Sequence, residues 1–195
     1  ERTALENAAQ FLGFDLATGR VDSSHLLYPH LVEHGIGERD LDWFRTNAVQ
    51  FDVFGANFYP WSYSPALLRR GRVAYPKHPT PGTAIGEVLA DLYARYGLPV
   101  MVTETSADAS VAGRGLWLDD TVAAVRGLRS RGVPVVGYTW FPLLSLYRWE
   151  VRLGTRPLDS YLLHLGLYEL ERDAERRLQR TPTPLVERYC QQQDM

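Results

Sequence analysis

The sequence predicts an α/β fold built on a parallel sheet, and three observations carry that expectation. Three short apolar runs bounded by polar residues, Phe51–Asn57 (FDVFGAN), Pro99–Thr103 (PVMVT) and Pro134–Trp140 (PVVGYTW), read as buried strands. Two stretches of helical hydrophobic period lie between them. Glycine and proline stand at the junctions, Gly97 with Pro99 before the second strand and Gly132 with Pro134 before the third. The order strand, helix, strand, helix, strand calls for right-handed crossovers and parallel pairing.

Residues 1–50 read as helical and irregular, with the tail of a helix at Ala4–Phe11 and a short one at Arg39–Phe44. After the first strand, Pro60, Pro65, Gly71, Pro76, Pro79, Pro81 and Gly82 mark a long loop. The first crossover helix is expected from Thr83 to Tyr96. Ile85, Val88, Leu89 and Leu92 share one face there, and Thr83 is placed to cap the start. The second is expected from Leu116 to Arg131, burying Leu118, Val122, Val125 and Leu128. Asp119 and Asp120 would then sit in its first turn, where the helix dipole favours negative charge. Beyond Trp149 the pattern weakens. Leu162–Leu170 is apolar enough for a strand or core segment, Arg172–Arg180 reads as a charged surface stretch, and Pro184–Tyr189 as the start of a last short helix. No repeat or linker divides the chain, so residues 1–195 read as a single domain or a fragment of one.

Composition narrows the function classes. Hydrophobic residues make up 45% and charged residues 23%, as in an ordinary globular protein. The 21 basic and 23 acidic residues are spread along the length, with a net charge of -2. There is no basic stripe for nucleic acid and no polybasic patch or apolar span for a membrane. The one cysteine, Cys190, leaves no internal disulfide and fits a reducing cytoplasm. No cofactor or metal is expected. The chain opens on Glu1 rather than Met, which suggests a cut end.

Glu104 is the leading candidate for chemistry. It is the first charged residue after the second strand, at the C-terminal end where parallel α/β folds build their active sites. A carboxylate there can serve as nucleophile, general base or metal ligand, or form a structural salt bridge. Asn57 and Tyr59 occupy the corresponding rim of the preceding strand, and Tyr138, Trp140, Phe141, Tyr147 and Trp149 crowd the end of the third. Aromatic faces of this kind pack against the C–H faces of sugar rings, or form a core.

Three segments resemble the family 1 glycoside hydrolases, the β-glucosidase family. Asp52–Tyr59 (DVFGANFY) is similar to that family's D-F-x-G-x-N-Y-Y strand. Val102–Ser106 (VTETS) resembles its I-T-E-N-G nucleophile strand, and Gly137–Trp149 (GYTWFPLLSLYRW) its last strand and loop, G-Y-x-x-W-S-L-x-D-N-x-E-W. The three occur in the family's order, and even residues 1–19 resemble the stretch before its sixth strand. The resemblance covers about residues 1 to 189. It implies the C-terminal portion, about strands six to eight, of a (β/α)8 TIM barrel, and a double-displacement hydrolysis of a carbohydrate substrate. Glu104 would be the nucleophile, Asn57 an active-site asparagine and Tyr59 the tyrosine bonded to the nucleophile carboxylate. Trp140, Phe141, Arg148 and Trp149 would bind substrate, Trp149 as the sugar-stacking tryptophan.

The departures from that pattern matter as well. Thr105-Ser106 replaces Asn-Gly; counted back from Trp149, Phe141-Pro142 replaces Trp-Ser and Arg148 stands where the family has a sugar-binding glutamate, whereas aligned on Trp140 the loop carries one extra residue. An arginine cannot accept hydrogen bonds from hydroxyls, which implies a different glycone, such as an anionic one, or a degraded sugar site. The family's acid/base carboxylate lies on its fourth strand, and Glu6 and Glu87 both fall in helical patterns. A retaining mechanism needs two carboxyl groups about 5 to 5.5 Å apart. The expected partner is therefore a complementary N-terminal half of the barrel, and the isolated chain is expected to be inactive.

Two other readings compete. A glycosidase-like domain that binds sugar or a partner without turnover would also fit Arg148 and Thr105-Ser106. His30–His34 (HLVEH) matches the H-x-x-E-H signature of inverted zinc metallopeptidases. Pro29 and Gly35 leave that segment barely one helical turn, so polar residues on a surface segment are the favoured interpretation. Asp108, in the loop after Glu104, is placed where it could line the mouth of the site, with a surface aspartate as the favoured reading.

Overall fold

The computed structural model describes residues 2–62, 67–69, 72–74, 79–175 and 177–192. Pro65, Gly71 and Pro76 of the expected loop lie outside them. The chain divides into two compact units, residues 1–52 and 53–195.

The first unit is helical: α1 (Arg2–Ala9), α2 (Leu12–Ala17), α3 (Tyr28–Glu33) and α4 (Glu38–Thr46). α2 and α3 are each followed within two residues by a glycine. Gly19 (φ 68°) and Gly35 (φ 91°) take the left-handed conformation after α2 and α3, which only glycine adopts without strain. Val21, Leu27 and Leu41 are buried. Asp15 is fully buried as well, with His25 Nε2 3.2 Å from its carboxylate.

The second unit contains the expected alternation. β1 (Phe54–Phe58) is followed by an antiparallel hairpin, β2 (Leu67–Arg69) and β3 (Arg72–Ala74), inside what the sequence marked as loop. A 3-10 turn at Gly82–Ala84 leads into α5 (Ile85–Tyr96), β4 (Val100–Thr105), α6 (Val111–Ser130) and β5 (Val135–Trp140). β4 pairs in parallel with both β1 and β5, so the sheet order is β1-β4-β5. Short antiparallel pairs follow, β6 (Leu146–Tyr147) with β7 (Leu162–Leu163) and β8 (Tyr168–Arg172) with β9 (Leu178–Pro182), and then α7 (Leu185–Cys190). The stretch read as charged surface, Arg172–Arg180, thus closes a β-hairpin.

One sheet face carries the core. Phe54, Ala56 and Phe58 of β1, Val100 and Val102 of β4 and Val135 of β5 are buried, with Ile85, Leu89, Leu92 and Tyr96 of α5. Leu118, Val122, Val125 and Leu128 of α6 are buried as their spacing predicts. Phe54 stacks on Tyr96 at 4.2 Å between ring centroids, and Phe58 on Trp117 at 5.8 Å. Each such side chain contributes about 2 kcal/mol when fully buried. Gly55 and Asn57 on the other face of β1 are exposed, and Met101 and Thr103 of β4 are half-buried. Parallel sheets are ordinarily covered on both faces, so the second face of this one is unusual in its openness.

Several boundaries differ from expectation. α6 starts five residues earlier than predicted, because Ser110 caps it by accepting a hydrogen bond from Gly113 N at 3.2 Å. Asp119 and Asp120 therefore lie mid-helix, and Asp119 pairs with Arg188 of α7 instead of serving the dipole. Thr83 falls within the 3-10 turn, and α5 has no side-chain cap. Gly97 (φ 69°) ends α5 as predicted, its N–H donating to Tyr93 O.

Gly166, between β7 and β8, sits where two backbones touch. A Cβ there would meet Ser145 N, the Leu144 carbonyl carbon and Tyr168 O, all nearer than the 3.0 Å that real Cβ atoms keep. Backbone cannot rotate aside as a side chain does. Gly166→Ala should therefore destabilise the chain by about 2 kcal/mol or more. Urea unfolding followed by circular dichroism measures it, and an unchanged midpoint would refute the close approach.

Candidate active site

The local geometry of the candidate site begins with an irregularity in β4. Register along the β1–β4 pair runs Ala56 with Val102, then Asn57 with Glu104, which leaves Thr103 as an extra residue on β4. The β4–β5 pair shifts over the same stretch, between Val102 and Thr105. Such bulges re-aim a side chain, and they recur next to active sites. Glu104 thus lies within the end of its strand rather than just past it, directly across from Asn57.

Three of the residues singled out in the sequence come together at this rim. The Tyr59 phenol donates to Glu104 Oε2 at 2.8 Å. Thr103 Oγ1 donates to Asn57 Oδ1 at 2.7 Å, fixing the amide beside the bulge. Burial and, after it, the hydrogen bond and charge of Glu104 push the Tyr59 hydroxyl above its ordinary value of 10.0. The phenol therefore remains a proton donor to Glu104 throughout the neutral and mildly alkaline range. Trp61 stacks on Tyr59, 5.0 Å between centroids and 6° between planes, and is 59% exposed. Trp61 is not among the residues that the sequence motifs mark. The signal was present, since an aromatic residue two positions beyond Tyr59 continues the rim.

The residues after Glu104 are structural. Thr105 is fully buried, and its hydroxyl accepts from Trp117 Nε1 at 2.9 Å. Ser106 is also buried, and its hydroxyl has no hydrogen-bond partner among the described residues. An unsatisfied buried hydroxyl costs about 1–3 kcal/mol.

The four expected substrate-binding residues divide. Trp140 is 5% exposed and its indole N–H donates to Leu165 O at 3.0 Å, so within this chain the ring belongs to the packed interior. Phe141 is 43% and Trp149 75% exposed. The Arg152 guanidinium lies 4.3 Å from the centroid of the Trp149 ring and covers one of its faces. Arg148 donates to Asp108 Oδ2 at 2.9 Å, and Asp108 Oδ1 accepts from His164 N at 3.2 Å. Asp108, read in the sequence as a plain surface residue, therefore ties the loop after β4 to Arg148 and to the segment after β7.

Behind that loop lies a buried polar cluster that the sequence did not reveal. Arg114 of α6 is 0% exposed; it donates to Ala109 O at 2.7 Å and His164 O at 2.8 Å and pairs with Glu169 of β8. Glu169 also accepts from Ser145 Oγ at 2.8 Å and lies 2.9 Å from His164 Nδ1. Burial raises the Glu169 carboxyl, but the hydrogen bonds from His164, Arg114 and Ser145 outweigh it and hold the group below its ordinary value. In the first unit, ligand atoms of His30, Glu33 and His34 lie within 4.8 Å of one another, on exposed side chains.

No protein-family model and no curated protein matches the chain. Solved structures do. A β-glucosidase from Thermotoga maritima in complex with glucoimidazole superimposes with a TM-score of 0.72 at 16% identity, over 95% of this chain and 45% of that one. The same enzyme with castanospermine gives 0.68 at 17% identity, again over 95% and 45%. The family 1 β-glucosidase from Exiguobacterium antarcticum B7 gives 0.67 at 20% identity, over 97% and 46%. The fold is thus that of the C-terminal part of the β-glucosidase TIM barrel, and the chain spans about half the length of these relatives. No helix among the described residues is long and apolar enough to cross a membrane.

Proposed function

We propose that this chain carries the nucleophile half of a retaining O-glycoside hydrolase of the β-glycosidase type, and that residues 1–195 are the C-terminal part of one barrel domain. The observation that carries the reading is the Tyr59 phenol donating to Glu104 Oε2 at 2.8 Å at the strand rim. A nucleophilic carboxylate must be oriented toward a carbohydrate carbon that becomes positively charged, and a charge-assisted hydrogen bond holds it in place. Glu104 attacks the anomeric carbon as the aglycone leaves, and water then releases the sugar from the glycosyl ester.

The acid/base carboxylate comes from a complementary N-terminal half of the barrel. The openness of one face of the β1-β4-β5 sheet supports this, since the missing strands would enclose it. The relatives' complexes with glucoimidazole and castanospermine support a monosaccharide-sized glycone. Trp61, Phe141 and Trp149 offer exposed rings for it, and Asn57 a polar contact.

One observation favours the non-catalytic alternative. Arg148 is already paired with Asp108, which makes it a tether for the loop rather than a waiting anion receptor. The deciding measurement is hydrolysis of aryl β-glycosides by the protein joined to its N-terminal half, with Glu104→Gln in parallel. If the parent is inert toward every aryl glycoside, or the variant keeps full activity, the catalytic reading is lost.

Tyr59→Phe in the same protein should lower kcat/KM by roughly 10- to 100-fold, the worth of one hydrogen bond to a charged group. Because the Tyr59 hydroxyl is displaced upward, it should add no alkaline limb to the parent's pH–rate profile below pH 10.0. A limb near pH 9 that disappears in Tyr59→Phe would contradict this.

A further inference from the structure

The geometry points to a surface site for a divalent late first-row cation, zinc above all, at His30, Glu33 and His34 of the first unit. The three side chains fall at i, i+3 and i+4 on and just after α3, so one helical turn brings them to one side. Their ligand atoms all lie within 4.8 Å of one another, and the two imidazole centroids are 4.1 Å apart. Ligand atoms on one tetrahedral zinc stand roughly 3.3 Å apart, given zinc–nitrogen bonds of about 2.0–2.1 Å. Exposed side chains close the remaining gap by small rotations.

A second feature prepares the site. His34 Nδ1 lies 2.8 Å from the backbone carbonyl of His30. A carbonyl only accepts, so that nitrogen carries the proton and Nε2 holds the lone pair a metal needs. This is the arrangement that outer-shell carbonyls impose on metal-binding histidines. Two imidazoles and one carboxylate suit zinc, copper or nickel better than calcium or magnesium.

α3 ends at Glu33 and Gly35 (φ 91°) turns the chain away. Among the described residues no further histidine, cysteine or carboxylate joins the group. Zinc there would be held by three side chains and water, clipping the short α3 to its own C-terminal end.

The test is equilibrium dialysis of the full chain against zinc chloride, with His30→Ala, His34→Ala and Glu33→Gln alongside, and an imidazole NMR titration of the parent. The parent should bind zinc, each histidine variant should lose that equivalent, and Glu33→Gln should weaken it by about tenfold or more. The His30 and His34 ring signals should shift while those of His25, which faces Asp15, stay fixed. All three side chains are exposed, so the variants should keep the parent's circular dichroism; where one does not, the NMR titration of the parent decides. Zinc uptake unchanged in both histidine variants overturns the site, as do ring signals that ignore zinc.

Discussion

Glu169→Gln should lower the melting temperature of the chain by roughly 6–10 °C at pH 7, the equivalent of about 3 kcal/mol. The substitution keeps the shape of the side chain and removes only its charge. Arg114 remains in α6 with no exposure, and its other partners are neutral carbonyls of Ala109 and His164. A guanidinium cannot deprotonate to escape, so the fold must hold an uncompensated charge. Replacing Arg114 by Met and Glu169 by Leu together should recover much of the loss, since an apolar pair has no desolvation penalty.

The pH dependence follows from the same contacts. The Glu169 carboxyl is depressed in the folded chain relative to 4.5. A depressed acid stabilises the fold fully above its unfolded pKa, and that stability is lost as pH falls through the lower, folded value. The parent should therefore lose stability below about pH 4.5 more steeply than Glu169→Gln. Melting curves from pH 7 down to pH 3 test both claims, and a variant melting within 2 °C of the parent at pH 7 removes the pair from any stabilising role.

The contrast between what the sequence reveals and what it hides has a physical basis. The β1-α5-β4-α6-β5 alternation is legible because each helix must bury a stripe at helical spacing, and Leu118, Val122, Val125 and Leu128 do so. Glu104, Asn57 and Tyr59 are legible because strand ends in parallel sheets are few. Their register was not, because the extra residue at Thr103 depends on pairing with two neighbours and leaves no trace in hydrophobic period. The start of α6 was missed because Ser110 caps a first turn, Val111–Gly115, that carries two glycines and a buried arginine. Arg114 was invisible for the same reason. A charged residue buries only with distant partners, and Glu169 and His164 lie about 50 residues away in sequence. Trp140 is ambiguous in the sequence. Aromatic residues at a strand end suit a sugar or a core equally well, and only the bond to Leu165 O distinguishes them.

Glu104→Ala, in the protein joined to its N-terminal half, should lower kcat/KM on an aryl glycoside by roughly 10⁴-fold. The proposed chemistry makes a further demand that simple loss of activity does not. In double displacement the Glu104 carboxylate forms the bond to the anomeric carbon as the aryl oxygen leaves, and water later attacks that carbon from the face the aryl oxygen left, breaking the ester and freeing the carboxylate. Two inversions give retention. Alanine vacates the nucleophile's place, which a small anion such as azide can enter. An azide nitrogen would then bond the anomeric carbon while the bond to the aryl oxygen breaks and phenolate departs. That is one inversion and leaves no ester to hydrolyse. Azide should therefore raise the rate of Glu104→Ala and yield a glycosyl azide of inverted configuration. Glu104→Asp keeps the charge but withdraws the carboxylate by one methylene, and a misplacement of about 1 Å should lower the rate by roughly 10²-fold. A merely structural salt-bridge role for Glu104 predicts that Asp is tolerated and azide is without effect. Rescue by azide with retained configuration would place the nucleophile on some other residue.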